Sequence, residues 1–299
     1  MRSRHRRSHG TVVLAPHPDD AAFSCGAAIQ RAGAAGRSVL VLTLFSGGWR
    51  DDVRVEEERR ASRALGCDVF LAGLPDAPFR GSSHRSLSGI VLGWDEAADG
   101  RALASATALL SGVLLAARPA RLLAPLGVGR HVDHRISFLA ALASSTETGI
   151  PVAFYEDRPY ALVQGAVEHR LSELGTGPGA PGPGFLEALL SAPYVRQHLS
   201  GAAEAEELAR GYAAIGAAGH AGPRLSLEPA IVRVREDSLP RLEEAVAAHA
   251  SQLPAFLGSL PEWRAASASY AASLGASGSY AERIWRVRTS RRAPGTPAA

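Results

Sequence analysis

The sequence contains no lysine; apart from histidine, all 32 of its basic side chains are arginines. This absence excludes Schiff-base catalysis, pyridoxal-phosphate chemistry and the lysine of a phosphate-binding P-loop. It also excludes a signalling receiver domain, whose acidic pair after the first strand works with a lysine after the last. Cysteine is scarce as well. Cys25 and Cys67 are too few for a disulfide framework and form no C-x-x-C pair, so a reduced, cytoplasmic protein is expected. No uncharged apolar run reaches the length of a membrane span. Residues 102–117 come nearest, but they are interrupted by Ser105, Thr107 and Ser111 and fall short of roughly 18 positions. That run reads as a buried helix. Residues 265–281 are rich in serine and glycine and too polar to span. At the N-terminus only Thr11-Val12-Val13-Leu14-Ala15 separates the basic residues from a charged motif, too short an apolar stretch for a secretory signal.

Basic charge is concentrated at the ends. The net charge of +3 becomes −1 once Arg2, Arg4, Arg6 and Arg7 are set aside, and Arg288, Arg291 and Arg292 repeat the pattern at the other end. A nucleic-acid binder carries its basic stripe on the folded body, so no nucleic-acid partner is expected. What the chain has in quantity is apolar residues. At 46% hydrophobic and 20% charged, 299 residues can bury the core of one large domain or two small ones.

Short apolar runs alternate with helical patterns through the first half. Strands are predicted at 12–15, 38–44, 69–71, 121–124 and 152–155, with helices at 21–32, 54–65, 102–117 and 132–145. This rhythm predicts an α/β fold: a Rossmann-like, mostly parallel sheet flanked by helices. Residues 10–160 are expected to form the catalytic core. Residues 161–290 would add a mixed extension of the same domain, with helices near 204–214, 239–252 and 262–274 and edge strands at 231–234 and 284–287. Residues 175–184 are a Gly/Pro-rich loop, and 1–9 and 291–299 are expected to be flexible tails.

The chemistry concentrates at two strand ends. Strand one runs into His17-Pro18-Asp19-Asp20, where ligands bind in a parallel α/β sheet. His17 and Asp20, three apart, can meet at one metal ion, leaving Asp19 as a free base. Alone, the cluster reads equally well as a helix cap. Strand four leads to a second cluster, Gly127-Val128-Gly129-Arg130-His131-Val132-Asp133-His134. With both clusters at equivalent strand ends, His17, Asp20 and His134 make a three-ligand site with an open position for water, the arrangement of catalytic zinc.

His17-Pro18-Asp19-Asp20 with Cys25-Gly26 in the next helix, together with His131-x-Asp133-His134, resembles the PIG-L/LmbE family of zinc-dependent de-N-acetylases. Arg54-x-x-Glu57-x-x-x-Ala61-x-x-x-Leu65-Gly66, Asp76 and Tyr155-Glu156-Asp157-x-Pro159-Tyr160 extend the likeness over residues 11–160. Ser251-Gln252 and Ala281-Glu282-Arg283-x-Trp285-Arg286 look like later landmarks. The pattern departs at Ala21, where the commonest family motif has Glu, and at Gly129, where the mycothiol-pathway deacetylase has tyrosine.

The resemblance implies a hydrolase that removes an N-acetyl or other N-acyl group from a small amino-sugar-type substrate, in bacterial secondary or thiol metabolism. It implies Zn²⁺, or another divalent transition metal, on His17, Asp20 and His134, with Asp19 as general base. His131, oriented by Asp133 and kept protonated by it, would stabilise the oxyanion or protonate the leaving amine. Arg54 and Asp76 would hold sugar hydroxyls. Two other readings stay open: an amidase for a larger amide conjugate, and an inactive family member serving as a binding protein. Monomer and homo-oligomer are both open.

The remaining candidates read as structure. His84, His169, His198, His220 and His249 lack metal-ligand spacing, and Cys25 is expected to face the core. Trp49 after Gly47-Gly48 reads as loop packing before sugar stacking. Residues 56–60 read as a solvated helix face, with Glu57 turned inward toward Arg54.

Overall fold

The computed structural model describes residues 10–48, 53–177, 182, 184–218, 225–276 and 278–288; Trp49, His220 and both expected tails lie outside them. Thr11–Ala15 (β1) is buried along its whole length, as a strand covered by helices on both faces must be. It leads to α1 (Asp20–Ala34), β2 (Val39–Thr43), α2 (Val53–Leu65) and β3 (Asp68–Leu71). Next come α3 (Leu87–Leu92), α4 (Ala98–Ala117), β4 (Leu122–Pro125), α5 (Val132–Thr148) and β5 (Val152–Tyr155). The later half contributes α6 (Ala166–Glu173), α7 (Phe185–Ser191), α8 (Pro193–His198), α9 (Ala202–Ala218) and β6 (Leu227–Arg233). It closes with α10 (Leu239–Ala248), α11 (Leu253–Phe256), α12 (Leu260–Ser273) and β7 (Ala281–Val287).

The seven strands form one sheet in the order β3-β2-β1-β4-β5-β7-β6. β1 to β5 are parallel, in a mixed α/β arrangement flanked by helices, as the alternating pattern predicts. β7 pairs antiparallel with β5 and with β6. Residues 284–287 are therefore interior strand and not edge, a correction that follows from Ile284 and Trp285 packing inward. β6 is the true edge, and its exposure alternates accordingly.

A second correction concerns α4. It begins four residues earlier than the uncharged run and spans 20 residues, long and apolar enough by length and composition to cross a membrane. Its Ala102, Ala106, Leu110 and Leu114 stripe is buried in the same core cluster as Ile136, Ala140 and Ala141 of α5, while Leu115 is 57% exposed. The helix is half-buried, with a 3.6-residue period, and not buried all round.

The late residues tie the second half onto the first. α1 leaves helical geometry at Cys25 (φ −144°, ψ 24°), a residue buried in the core as expected. The Glu282 carboxylate of β7 accepts the N–H groups of Ala27 (2.7 Å) and Ala28 (2.9 Å) just beyond that kink. Burial pushes Glu282 up to about 7. Glu156, following β5, accepts Arg283 Nε (2.6 Å), Trp285 Nε1 (2.8 Å) and the Tyr270 hydroxyl of α12.

Glu282→Ala leaves two buried donors without an acceptor and should destabilise the fold by about 3 kcal/mol in urea unfolding. Glu228→Ala removes only the exposed partner of Arg288 and should change stability by less than about 0.5 kcal/mol. Equal effects of the two would refute the role given to Glu282.

Candidate metal centre

The order of the sheet reverses between β1 and β4: the chain winds outward to β2 and β3 on one side and to β5 on the other. The crevice at the carboxyl ends of those two strands is the switch point of an open α/β sheet. Residues 17–20 follow β1 and residues 126–134 follow β4, so both sequence clusters meet there.

The first turn of α1 is built around Asp20, whose Oδ2 accepts the backbone N–H of His17 at 2.8 Å. The same oxygen lies 3.4 Å from His17 Nδ1 and 3.5 Å from His134 Nε2. His134 is aimed from behind: its Nδ1 meets Asp157 Oδ1 at 2.5 Å, while Asp157 Oδ2 accepts the N–H groups of Gly127 (2.8 Å) and Val128 (2.9 Å). Asp157 therefore fixes both the ring and the loop that carries it. Sequence reasoning did not single it out, although its place just past the carboxyl end of β5, next to β4, is the signal that could have.

Ligand atoms of His17, Asp20 and His134 all lie within 4.8 Å of one another. Two imidazoles and a carboxylate, one imidazole backed by a second carboxylate, form a donor set that fits a divalent transition metal with an open coordination position. A second group, His17, His131 and Asp133, meets the same distance test. Its carboxylate is otherwise engaged: Asp133 Oδ2 accepts Ala77 N–H at 3.1 Å and lies 3.0 Å from His17 Nε2, and Oδ1 lies 2.5 Å from Arg80 Nη1.

These contacts correct the expected partnership of Asp133 and His131. The Asp133 carboxylate turns to His17 and Arg80, and it is the Asp133 backbone N–H that reaches His131, donating to Nδ1 at 3.2 Å as a helix cap. An accepting Nδ1 carries no proton, so the neutral ring of His131 bears its proton on Nε2. Burial, with His17 and His134 adjacent, holds His131 well below the usual imidazole range. The expected rise in its pKa is replaced by a fall.

Asp19 sits beside the ligands with φ 118°, a left-handed value rare for any residue but glycine. Burial and the neighbouring Asp20 carboxylate push Asp19 up to about 8. Arg54 approaches it with Nη2 3.5 Å from Oδ2, and also lies 3.7 Å from Asp76. Asp76 stays well below the usual carboxylate range: burial opposes its charge, but His17, His131 and Arg54 outweigh it. Glu57 is buried, as its expected inward turn requires, and Glu58 is buried as well, contrary to the solvated face expected for it. Glu57 binds Ser251 through its N–H (2.8 Å) and hydroxyl (2.6 Å), and not Arg54.

His17, Asp19, Asp20, Arg54, Asp76, His131 and His134 line one cavity of about 430 Å³. Its far side is apolar: Leu87, Ile90 and Val91 of α3, Tyr194 of α8 and Phe256 of α11. His198 also lines it, unlike His84, His169 and His249, which are buried outside it. Gly129, at φ 77°, has no room for a side chain, because a Cβ there would lie 2.4 Å from the Tyr160 ring. The position that bears tyrosine in the mycothiol-pathway enzyme is here covered by Tyr160.

Sheet, switch point and converging donors make this an α/β protein with a buried His/Asp cluster that could hold a metal ion. Residues 12–144 match the model of the GlcNAc-PI de-N-acetylases, the family that this stretch of the chain is similar to. The chain is 32% identical over 182 residues to 2'-N-acetylparomamine deacetylase of Streptomyces fradiae; the match covers 56% of this chain and 63% of that protein, less than two thirds of its length. Its fold is similar to that of teicoplanin deacetylase Orf2 in a zinc-inhibited form (TM-score 0.66, 20% identity, 95% of this chain and 99% of that one). It is also similar to the A40926 pseudoaglycone deacetylase Dbv21 (TM-score 0.63, 20% identity, 94% and 98%).

Without an ion, carboxylates hold His17 and His134 above the usual imidazole range although burial opposes their charge, Asp76 acting most on His17 and Asp20 on His134. An incoming cation must displace those protons. Zinc affinity should therefore weaken as pH falls, and binding should release protons in calorimetry with two buffers of different ionisation enthalpy. Asp157→Ala should weaken zinc about 10- to 100-fold. Affinity that is independent of pH, or untouched by Asp157→Ala, would contradict this centre.

Proposed function

We propose that the protein is a zinc-dependent hydrolase that removes the N-acetyl group of an amino-sugar substrate. The observation that carries this reading is a carboxylate outside the ligand set, Asp19, placed beside His17, Asp20 and His134 in one cavity. Those three residues would hold Zn²⁺ or another divalent transition metal. When bound, the ion supplies acidity to the attacking water and polarises the amide carbonyl. Asp19 takes the proton of that water as it adds to the carbonyl carbon. Neutral His131 offers its Nε2–H to the developing oxyanion, without needing to be charged. As the C–N bond breaks, Asp19 passes the proton to the departing amine, so acetate and free amine leave with the base restored. Arg54 and Asp76, paired at the cavity wall, are the polar groups for sugar hydroxyls. The 2'-N-acetylparomamine deacetylase likeness supports an amino sugar as the substrate class.

Hydrolysis of a larger amide conjugate is the second reading, favoured by the apolar wall of Leu87, Ile90, Val91 and Phe256. An intact base and ligand set speak against a purely binding role.

Acetate release from N-acetylated amino sugars by protein loaded with one equivalent of zinc tests the reading. Asp19→Asn should keep the metal and lose roughly 10²–10⁴ in kcat. In the parent, kcat/KM should fall toward acid pH as Asp19 is protonated. His131→Ala should lose about 10²–10³, the worth of an oxyanion donor. His131→Gln, which keeps a donor that does not titrate, should recover part of that loss with the parent's pH profile. An alkaline limb that vanishes in His131→Gln would show that His131 acts as a charged acid instead.

A further inference from the structure

Asp19 is buried, is not glycine, and holds φ 118° and ψ −38°. Such backbone costs roughly 1–3 kcal/mol and persists only where its surroundings over-determine it. Two residues of α2, one turn apart on one face, do so from opposite ends. Arg54 reaches the side chain, with Nη2 3.5 Å from Asp19 Oδ2, and also donates to Pro18 O at 3.2 Å. Glu58 reaches the backbone: its Oε2 accepts the Asp19 N–H at 3.3 Å. Glu58 is 1% exposed, and its other oxygen accepts the Thr43 hydroxyl at 3.2 Å, which anchors it to the end of β2. His249 Nε2 lies 3.5 Å from Oε2.

We propose that Glu58 is the positioning residue of the base, its carboxylate holding the Asp19 peptide in the left-handed conformation that aims the Asp19 side chain into the cavity. This rests on the reading of Asp19 as general base. Without the acceptor, the buried Asp19 N–H has lost its bond and the 18–19 peptide gains by returning to negative φ. That rotation carries the Asp19 carboxylate away from Arg54 and from the reacting water. Glu58 touches neither substrate nor metal, so its removal should act on turnover and leave substrate binding alone.

The test uses the full chain with Glu58→Leu, which fills the space without an acceptor, and Glu58→Gln, whose amide oxygen can still accept. Glu58→Leu should lose about 10- to 100-fold in kcat, the cost of a misplaced catalytic group, at unchanged KM and unchanged zinc content. Glu58→Gln should restore most of it. In an Asp19→Asn background Glu58→Leu should cost nothing further, because both act through one carboxylate. In the metal-free protein, hydrogen exchange of the Asp19 amide should be at least about fivefold faster in Glu58→Leu than in the parent, the worth of one lost hydrogen bond. Should the leucine variant not fold, Thr43→Val removes only the anchor of Glu58 and should still speed that exchange. Unchanged Asp19 exchange, a glutamine variant as slow as the leucine one, or an undiminished loss in the Asp19→Asn background would each overturn the proposal. An inactive zinc-loaded parent with faster exchange in Glu58→Leu would instead overturn the hydrolase reading and leave the clamp standing.

Discussion

Charge removed from water must be paired, and at the switch point of this sheet an unusual density of it is removed. His17, Asp19, Asp20, Asp76, Asp133 and His134 are all buried, as are Glu58 and Asp157 behind them. The pairing is continuous. Arg80 spans Asp133 and Asp99, Asp133 meets His17, His17 meets Asp20 and Asp76, and Arg54 joins Asp76 to Asp19. Two helices begin in this cluster, α1 at Asp20 and α5 at Val132, and their N-terminal dipoles favour the excess of carboxylates. Three carboxylates nonetheless remain high, Asp19 at about 8, Glu58 at about 7, and Asp133, all pushed up chiefly by burial. An additional positive charge at the ligand set would relieve that, which is why a cation fits the site on electrostatic grounds as well as on its donors.

The geometry separates roles that spacing leaves together. Neighbouring residues Asp19 and Asp20 point to different tasks because Asp20 closes the turn onto His17 N–H while Asp19 takes left-handed backbone. His131 and His134, on one turn of chain, differ because one ring nitrogen of His131 is capped by a backbone N–H and one of His134 by the Asp157 carboxylate. The first is a fixed neutral donor, and the second is backed by a carboxylate in the way a metal-holding imidazole would need.

The strands and the two clusters were legible in the sequence because strand ends, apolar runs and His/Asp spacing are local features. β7 was placed at the edge because its partner, β5, lies more than 120 residues away, and no local pattern tells interior from edge in a short apolar run. Glu58 read as solvated because a run of five charges on a helix usually is, and Glu57 was turned inward to the wrong partner; their burial depends on the Asp19 peptide and on Ser251 respectively. Asp133 was given to His131, two residues before it, whereas its carboxylate crosses the crevice to His17. The errors at β7, Glu58 and Asp133 are of one kind, contacts between segments distant in sequence. The kink at Cys25 and the carboxylate of Glu282 that satisfies it are another instance, joining the first helix to the last strand.

Two overlapping ligand groups share His17, and the account depends on which of them takes the ion. A crystal structure of the zinc-loaded protein with anomalous data collected across the zinc edge decides it. A single peak bounded by His17, Asp20 and His134, with Asp19 and His131 uncoordinated, is the predicted result. A peak held by His17, His131 and Asp133 would contradict the assignment of both the base and the oxyanion donor.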